Sequence, residues 1–171
     1  MAHMKTATYL FADDGDIPNN RLPLIVYTSA LENAASEGPR AFETLFHHNG
    51  WGRSWRSVVF PFHHYHSNTH EVLGIAAGRV TLRMGGESGG RTIEAATGDV
   101  VLIPAGVGHK RLSPVDGLIV VGAYPPGPDY DLYREGAEDK ARIRSRIAAV
   151  TLPAMDPVAG KDGPMFEFWK P

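Results

Sequence analysis

The sequence predicts an all-β domain built as an antiparallel sandwich or barrel, and three observations support this prediction. Short runs rich in β-branched and aromatic residues follow one another from residue 55 to residue 124, which favours strands. Turn residues such as Gly85-Gly86 and Thr97-Gly98 separate these runs. The runs are short and evenly spaced, which is typical of antiparallel sandwiches and barrels rather than of parallel strands joined by helices.

The predicted strands are bounded by these turns. They cover residues 8–11, 22–28, 55–66, 71–76, 79–84, 91–95, 99–103, 109–112 and 118–124. Strand 22–28 carries Pro23 near its start, which predicts an edge position because proline cannot donate to a β-ladder. In the long strand 55–66, side chains two residues apart leave the same face. That face carries Val58, Phe60, Phe62, His64 and His66.

Helices are predicted on either side of this core, at 39–49 and 131–150. Pro39 suits the first position of a helix and Gly50 the residue after its end. The second helix has dense charges and sparse apolar positions, which predicts a surface helix with one face docked.

The bulk composition indicates one domain and excludes several classes of function. The 171 residues suit a single domain over 4–171, with residues 1–3 interpreted as a cloning remnant. It divides into an N-terminal extension (4–54), a barrel core (55–124) and a C-terminal helix and tail (125–171). A net charge of −2 gives no basic surface for nucleic acid or an anionic membrane.

The absence of other signals narrows the class further. No apolar run approaches the roughly 20 residues of a membrane helix, and no signal peptide is recognisable. The chain has no cysteine, which excludes disulfides, thiolate metal ligands and thiol catalysis. A cytoplasmic enzyme or binding protein is therefore expected, with a small-molecule ligand.

Four polar residues in two stretches predict a metal site. His64 and His66 leave the same face of a strand, and the polar turn at 67–69 lets Glu71 reach both imidazoles. His109 opens a later strand and is a fourth candidate. Imidazoles and a carboxylate that converge suit a divalent transition metal. A tighter turn would instead make His70 a ligand in place of Glu71.

The two stretches resemble the two conserved motifs of the cupin superfamily. The first motif is HxH, four residues, E, six residues, G, and the second is G, five residues, PxG, two residues, H, three residues, N. The matching positions are His64, His66, Glu71 and Gly78 in the first, and Gly98, Pro104, Gly106 and His109 in the second. Two positions depart from the motifs: Val58 stands where a glycine is usual, and Ser113 stands where an asparagine is usual.

The resemblance implies a fold, a site and a range of functions. The fold is a double-stranded β-helix, or jelly-roll barrel, with flanking N- and C-terminal helices. His64, His66, Glu71 and His109 would hold one divalent ion, and Fe, Mn, Ni, Zn and Cu all suit these ligands. A wider likeness over about 17–169 resembles a small bacterial cupin subfamily whose reaction is unassigned.

Several functions stay open at this point. The leading hypothesis is a mononuclear metal-dependent enzyme acting on a small molecule, with an oxygen-dependent oxidation of the dioxygenase type favoured by resemblance. Isomerisation or hydrolysis, with the metal as Lewis acid, comes next. The alternatives are a non-catalytic module that senses or stores a small ligand or metal, and a metal-free cupin with a polar pocket.

A substrate pocket is predicted near these ligands. His48, Trp51 and Trp55 would line its mouth, and Phe60 and Phe62 would form part of its wall. Two arginines, Arg83 and Arg111, either bind a substrate carboxylate or lie on a solvated face.

A homodimer is also predicted, because small barrels have edge strands to protect. The apolar strand 22–28 and the bulky outer positions Val59 and Tyr65 would form the contact.

Overall fold

The computed structural model describes residues 3–171 and is built from two β-sheets that face each other. The strands are β1 (Lys5–Phe11), β2 (Asn20–Thr28), β3 (Gly52–Ser57), β4 (His64–Tyr65), β5 (Glu71–Ala77), β6 (Arg79–Met84), β7 (Arg91–Ala96), β8 (Val100–Ile103), β9 (His109–Arg111), β10 (Ile119–Tyr124) and β11 (Tyr133–Arg134). The helices are α1 (Ala34–Glu37), α2 (Pro39–His48), α3 (Lys140–Ala149) and α4 (Met165–Phe168). Of the interpreted cloning remnant, Met1 and Ala2 lie outside the described residues.

The strand order confirms the predicted all-β jelly roll. One sheet has six strands in the order β1-β2-β8-β5-β10-β3, and the other has five in the order β11-β4-β9-β6-β7. The pairings between these strands are antiparallel. From β4 to β10 the chain crosses from one sheet to the other at each connection except the hairpin between β6 and β7, whose strands pair within the five-stranded sheet.

Two apolar clusters pack against the two faces of the six-stranded sheet. The first fills the space between the sheets and includes Leu73, Leu82 and Val120, each with at most 1% of its surface exposed. The second covers the outer face of the six-stranded sheet, where Phe42 and Phe46 of α2 pack with the C-terminal Trp169. The helix predicted at 39–49 therefore docks through its apolar stripe, because that stripe is the one face able to leave water.

The predicted long strand 55–66 was wrong. The structure breaks it into β3, at the edge of the six-stranded sheet, and β4, in the five-stranded sheet. Residues 58–63 cross between the two sheets. Pro61 lies in this crossing, where its missing N–H leaves no ladder bond unmade.

The predicted edge position of strand 22–28 was also wrong. β2 lies between β1 and β8, and β1 forms the edge. Pro23 is tolerated because the pairing with β8 covers only Ile25 to Tyr27. On the other side, the register with β1 slips between Tyr9 and Phe11, so Pro23 has no ladder partner there.

The C-terminal helix is shorter than the predicted 131–150. It begins at Lys140, after Asp139, whose carboxylate accepts a hydrogen bond from the backbone N–H of Arg142 at 3.3 Å. The preceding residues form β11 and contact the site described below. None of the helices within residues 3–171 has the length and apolar character to traverse a bilayer.

The residues offered for a homodimer contact are covered within the chain. β2 is paired on both sides, and Val59 and Tyr65 are 3% and 1% exposed. Homodimer formation stays a prediction, but these residues no longer support it.

Candidate metal centre

The four predicted ligands come from both sheets. His64 in β4 pairs with His109 in β9, and the centroids of their imidazole rings lie 4.0 Å apart. Glu71 is the first residue of β5 in the opposite sheet, and the turn at 67–69 connects it to His66. All four residues are buried, with exposures between 1% and 5%.

Backbone carbonyls fix the tautomer of each of these histidines. The Nδ1 atom of His64 contacts the carbonyl of Phe62 at 3.1 Å, and Nδ1 of His109 contacts that of Val107 at 3.0 Å. Nδ1 of His66 contacts the carbonyl of Asp131. A carbonyl oxygen can only accept, so each Nδ1 carries the proton and each neutral ring keeps its lone pair on Nε2.

The three imidazoles converge on one point. One ring nitrogen from each of His64, His66 and His109 lies within 4.8 Å of the others. Glu71 lies beside them, with Oε1 at 3.1 Å from Nε2 of His109 and Oε2 at 3.5 Å from Nε2 of His66. Sequence reasoning therefore named the residues that meet here.

The electrostatics of this cluster favour a cation at its centre. Burial opposes ionisation of Glu71, but the neighbouring imidazoles of His66 and His109 hold its pKa well below its usual range. Burial, with the repulsion of His109, lowers the pKa of His64 to about 3. Burial opposes ionisation of His66, but the charge and the hydrogen bond of Glu71 raise the pKa of that ring. The buried carboxylate thus favours positive charge beside it, which a proton on His66 or a metal ion would supply.

One atom of this cluster lacks the partner that a buried polar group needs. Nε2 of His109 is buried and has no hydrogen-bond partner among the described residues, although a carboxylate oxygen lies 3.1 Å away. Two lone pairs face each other there, and either a proton or a metal ion would relieve the repulsion. Imidazole nitrogens and a carboxylate are ligands that divalent transition metals prefer, so the residues present fit such an ion.

Tyr124 fixes the orientation of the Glu71 carboxylate. Its hydroxyl donates to Oε2 of Glu71 at 2.8 Å and accepts from the indole N–H of Trp55 at 2.8 Å. Burial, together with the Glu71 charge, raises the pKa of Tyr124, so the hydroxyl stays a donor. The sequence analysis did not identify this contact, because Tyr124 lies 53 residues from Glu71.

Replacing Tyr124 with phenylalanine is expected to weaken metal binding by about 10- to 100-fold, the range found when an outer hydrogen bond to a metal ligand is removed. The affinity is measured by titrating metal into protein that a chelator has stripped of metal, with calorimetry as the readout. The variant Tyr9→Phe is the control, because Tyr9 lies in β1 at the far edge of the six-stranded sheet, outside the cavity lining. Equal affinities for the Tyr124 variant and the native protein would show that the hydroxyl does not support the carboxylate.

A second support holds His66 from the C-terminal side. Asp131 accepts the His66 ring proton through its backbone carbonyl. Its carboxylate also accepts from the N–H and the hydroxyl of Ser67, each at 2.6 Å. Arg146 of α3 lies 2.9 Å from the same carboxylate. These contacts hold Asp131 at the site, which explains why the helix predicted over 131–150 does not begin at residue 131.

A cavity of about 250 Å³ opens beside the four residues. The other residues that line it are Trp55, Ser57, Val58, Val59, Phe60, Leu73, Tyr124 and Tyr130. Tyr130 stacks on Tyr124 with ring centroids 5.0 Å apart and is 46% exposed, which places it at the mouth. Val58, one of the two motif departures, therefore contributes an apolar side chain to the wall.

Of the five predicted pocket residues, Trp55 and Phe60 line this cavity and three do not. Trp51 packs on the outer face of the six-stranded sheet and donates to the carbonyl of Met155. His48 is exposed at the end of α2. Phe62 stacks on Phe60 and lies under the guanidinium of Arg134, 4.0 Å from its ring centroid. The break after β3 changed the alternation on which the prediction for Phe62 relied.

His70 and His63 do not join the cluster. The Nδ1 atom of His70 accepts from the N–H of Ala105 at 2.9 Å, and its Nε2 donates to the carbonyl of Thr151 at 3.2 Å. His63 turns away and contacts Glu87 at 2.6 Å. The alternative in which His70 replaces Glu71 therefore has no geometric support.

The buried His70 predicts a loss of stability in acid. Burial lowers its pKa to about 4, so the unfolded chain binds a proton at a higher pH than the folded protein. This contribution is complete above pH 6.5 and is lost as the pH falls towards 4, by roughly 3 kcal/mol. Urea unfolding of metal-free protein at pH 7 and pH 4.5 measures it.

The variant His70→Asn provides the control, because its amide oxygen can still accept from Ala105 but does not titrate. His64 and the other groups titrate in both proteins, so the difference between them isolates His70. Equal losses of stability in the two proteins would contradict the assignment.

Comparisons with known proteins agree with this geometry. Residues 57–116 match the sequence profile of the cupin domain. The protein of Bacillus subtilis (strain 168) described as uncharacterized protein YjlB is 43% identical over 166 residues, which are 96% of this chain and 97% of that protein.

Two solved structures show a more distant similarity. An acireductone dioxygenase from Bacillus anthracis, with a cadmium ion in its active center, is 16% identical with a TM-score of 0.40, covering 53% of this chain and 60% of that chain. A variant of the Bacillus subtilis oxalate decarboxylase is 18% identical with a TM-score of 0.41, covering 71% of this chain and 30% of that chain. This chain thus spans less than two thirds of either structure.

Proposed function

The chain belongs to the cupin superfamily, and from that premise we propose that it is a mononuclear metal-dependent enzyme acting on a small molecule. His64, His66, His109 and Glu71 would hold one divalent ion. The observation that carries this proposal is the convergence of one ring nitrogen from each of three imidazoles beside the buried carboxylate of Glu71. Without a cation, that arrangement leaves lone pairs facing each other in a site with little water.

The cavity beside the cluster supports a small-molecule substrate. Four protein ligands leave positions open on a six-coordinate ion, and the cavity of about 250 Å³ borders the four ligands. When bound, a divalent transition ion supplies Lewis acidity or, for iron and copper, redox chemistry with oxygen. The apolar wall would exclude water from the substrate, and Tyr124 would keep Glu71 oriented.

The residues of the cavity favour oxidation over isomerisation or hydrolysis. Within residues 3–171, the cavity lining holds no carboxylate or imidazole beyond the four ligands. Glu71 is committed to the proposed ion and to Tyr124, so it is a poor general base. Isomerases and hydrolases usually need a base of suitable pKa within reach of the substrate. We therefore propose an oxygen-dependent oxidation of the dioxygenase type.

Elemental analysis of protein purified without added metal, combined with oxygen-uptake measurements, tests this function. We expect about one transition metal ion per chain, and oxygen uptake with iron-loaded protein that is lost in His64→Ala. Metal with tight ligand binding but no turnover would favour the non-catalytic module. A protein that neither retains nor takes up metal would refute the metal-dependent function.

A further inference from the structure

The wall of the cavity is almost entirely apolar. Apart from the four ligands, seven of the eight lining residues are aliphatic or aromatic, and Ser57 is the exception. The indole N–H of Trp55 is bonded to Tyr124, and the Tyr124 hydroxyl is bonded to Glu71. Those two rings therefore have no free polar hydrogen for a ligand.

Arginine side chains near the mouth are already partnered. Arg53 lies 5.7 Å from the centroid of the Tyr124 ring, but it donates to the carbonyls of Pro125 and Gly127. Arg111 donates to the carbonyls of Val59 and Ser113. Within residues 3–171, no lysine or arginine lines the cavity, so the alternative in which Arg111 binds a substrate carboxylate has no support.

Arg83 also donates its hydrogen bonds to backbone carbonyls. Its guanidinium donates to the carbonyls of Gly86 and Glu87 in the hairpin between β6 and β7. The cavity therefore has no side-chain cation to balance a ligand of high negative charge.

The charge of the site restricts its ligand further. Three neutral imidazoles and one carboxylate give a net charge of +1 with a divalent ion. A ligand with one negative charge neutralises that site. A dianion would leave an unbalanced negative charge in a buried cavity, which carries a large desolvation penalty.

From these observations we propose that the site selects small apolar molecules that bind as a monoanion through oxygen, namely phenols or enolisable carbonyl compounds. Dicarboxylates and phosphate esters are excluded. The inference rests on the proposed metal-dependent function. The cavity volume of about 250 Å³ lies just below the roughly 300–1,000 Å³ of sites for drug-sized ligands, so the ligand is of single-ring size.

Zinc-loaded protein tests the selectivity without turnover. Zinc content is measured first, and calorimetry then compares tropolone, a planar ring that binds metals as a monoanion, with malonate, a dianion. Each affinity is corrected for the affinity of the probe for zinc in buffer. We expect tropolone to be favoured by at least about tenfold, which corresponds to 1.4 kcal/mol.

Two variants test separately how the apolar wall and the charge of the site contribute to ligand binding. Phe60→Ala removes part of the wall and is expected to weaken tropolone binding by roughly tenfold, as loss of an aromatic contact does. Leu112→Ala is its matched control, because Leu112 is 47% exposed against 45% for Phe60 and does not line the cavity. Ser57→Arg supplies a cation to the lining and is expected to strengthen malonate binding by about tenfold.

The outcomes distinguish a wrong ligand class from a wrong metal-dependent function. Bound zinc with malonate favoured in the native protein would overturn the ligand class but leave the metal site intact. The same follows if Phe60→Ala and Leu112→Ala bind tropolone equally. If the native protein holds no zinc, the proposed metal-dependent function is refuted, and the proposed preference for monoanionic ligands is refuted with it.

Discussion

Replacing His109 with alanine is expected to reduce metal affinity by more than about 100-fold, since loss of an outer contact alone reduces it by about 10- to 100-fold. His109 is the proposed ligand supplied by the second motif, and its ring centroid lies 4.0 Å from that of His64. Its Nε2 atom is buried and has no hydrogen-bond partner among the described residues. The substitution removes the unpartnered Nε2 together with the Nδ1 contact to the carbonyl of Val107, a loss of about 1 kcal/mol that should leave the barrel folded.

Metal content after equilibrium dialysis measures this effect, with far-ultraviolet circular dichroism as the check on folding. His70→Asn is the matched control. His70 is also a buried histidine, but both of its ring nitrogens are bonded elsewhere, so this variant should keep its metal. If the His109 variant binds metal as tightly as the native protein, the ligand assignment is wrong.

Replacing Asp156 with alanine is expected to have the largest effect on stability, a loss of about 3–5 kcal/mol in the free energy of unfolding. Asp156 is fully buried. One carboxylate oxygen accepts from the N–H groups of Val158 and Ala159, at 2.7 and 3.0 Å. The other accepts from the hydroxyl of Tyr27 and the N–H of Met165, at 2.8 and 2.9 Å.

Removing this carboxylate leaves four donors without their acceptor, and it releases the tail that carries Trp169 onto the six-stranded sheet. Urea unfolding after metal removal measures the change. Tyr27→Phe deletes one donor and should reduce stability by only about 1 kcal/mol. Asp162→Ala, at an exposed position of the same tail, should stay within about 0.5 kcal/mol of the native protein. An Asp156 variant as stable as the Asp162 variant would contradict this account.

The sequence predicted which four residues meet at the candidate metal centre, because their signal is local and repeated. HxH at strand spacing places His64 and His66 together, and the second motif brings His109 to the paired strand. The motif glycine Gly106 contributes to that turn with φ of +86°, and a Cβ there would lie 2.6 Å from the carbonyl of Asn19. Such requirements act over a few residues and are visible in a sequence.

The supports of the site were not predictable in the same way. Asp131 reaches His66 across 65 residues and Tyr124 reaches Glu71 across 53, so sequence spacing does not connect them. The position of Trp55 depends on Gly122 in β10, where a Cβ would lie 2.1 Å from the indole ring. These contacts follow from tertiary packing, which a single sequence does not state.

The prediction of one strand over 55–66 failed for a related reason. Alternation of bulky residues is compatible with one long strand or with two strands joined by a crossing, and only the sheet order decides. Phe62 was assigned to the pocket through that alternation, and the crossing turned it elsewhere. The wall residues Val58 and Phe60 lie in the crossing itself.

Anomalous X-ray diffraction from crystals of metal-loaded protein tests the central claim most directly. We predict one strong anomalous peak per chain, about 2.0–2.2 Å from Nε2 of His64, His66 and His109 and from a carboxylate oxygen of Glu71. A peak elsewhere in the protein, or a fully loaded crystal in which Nε2 of His109 has no metal neighbour, would contradict it.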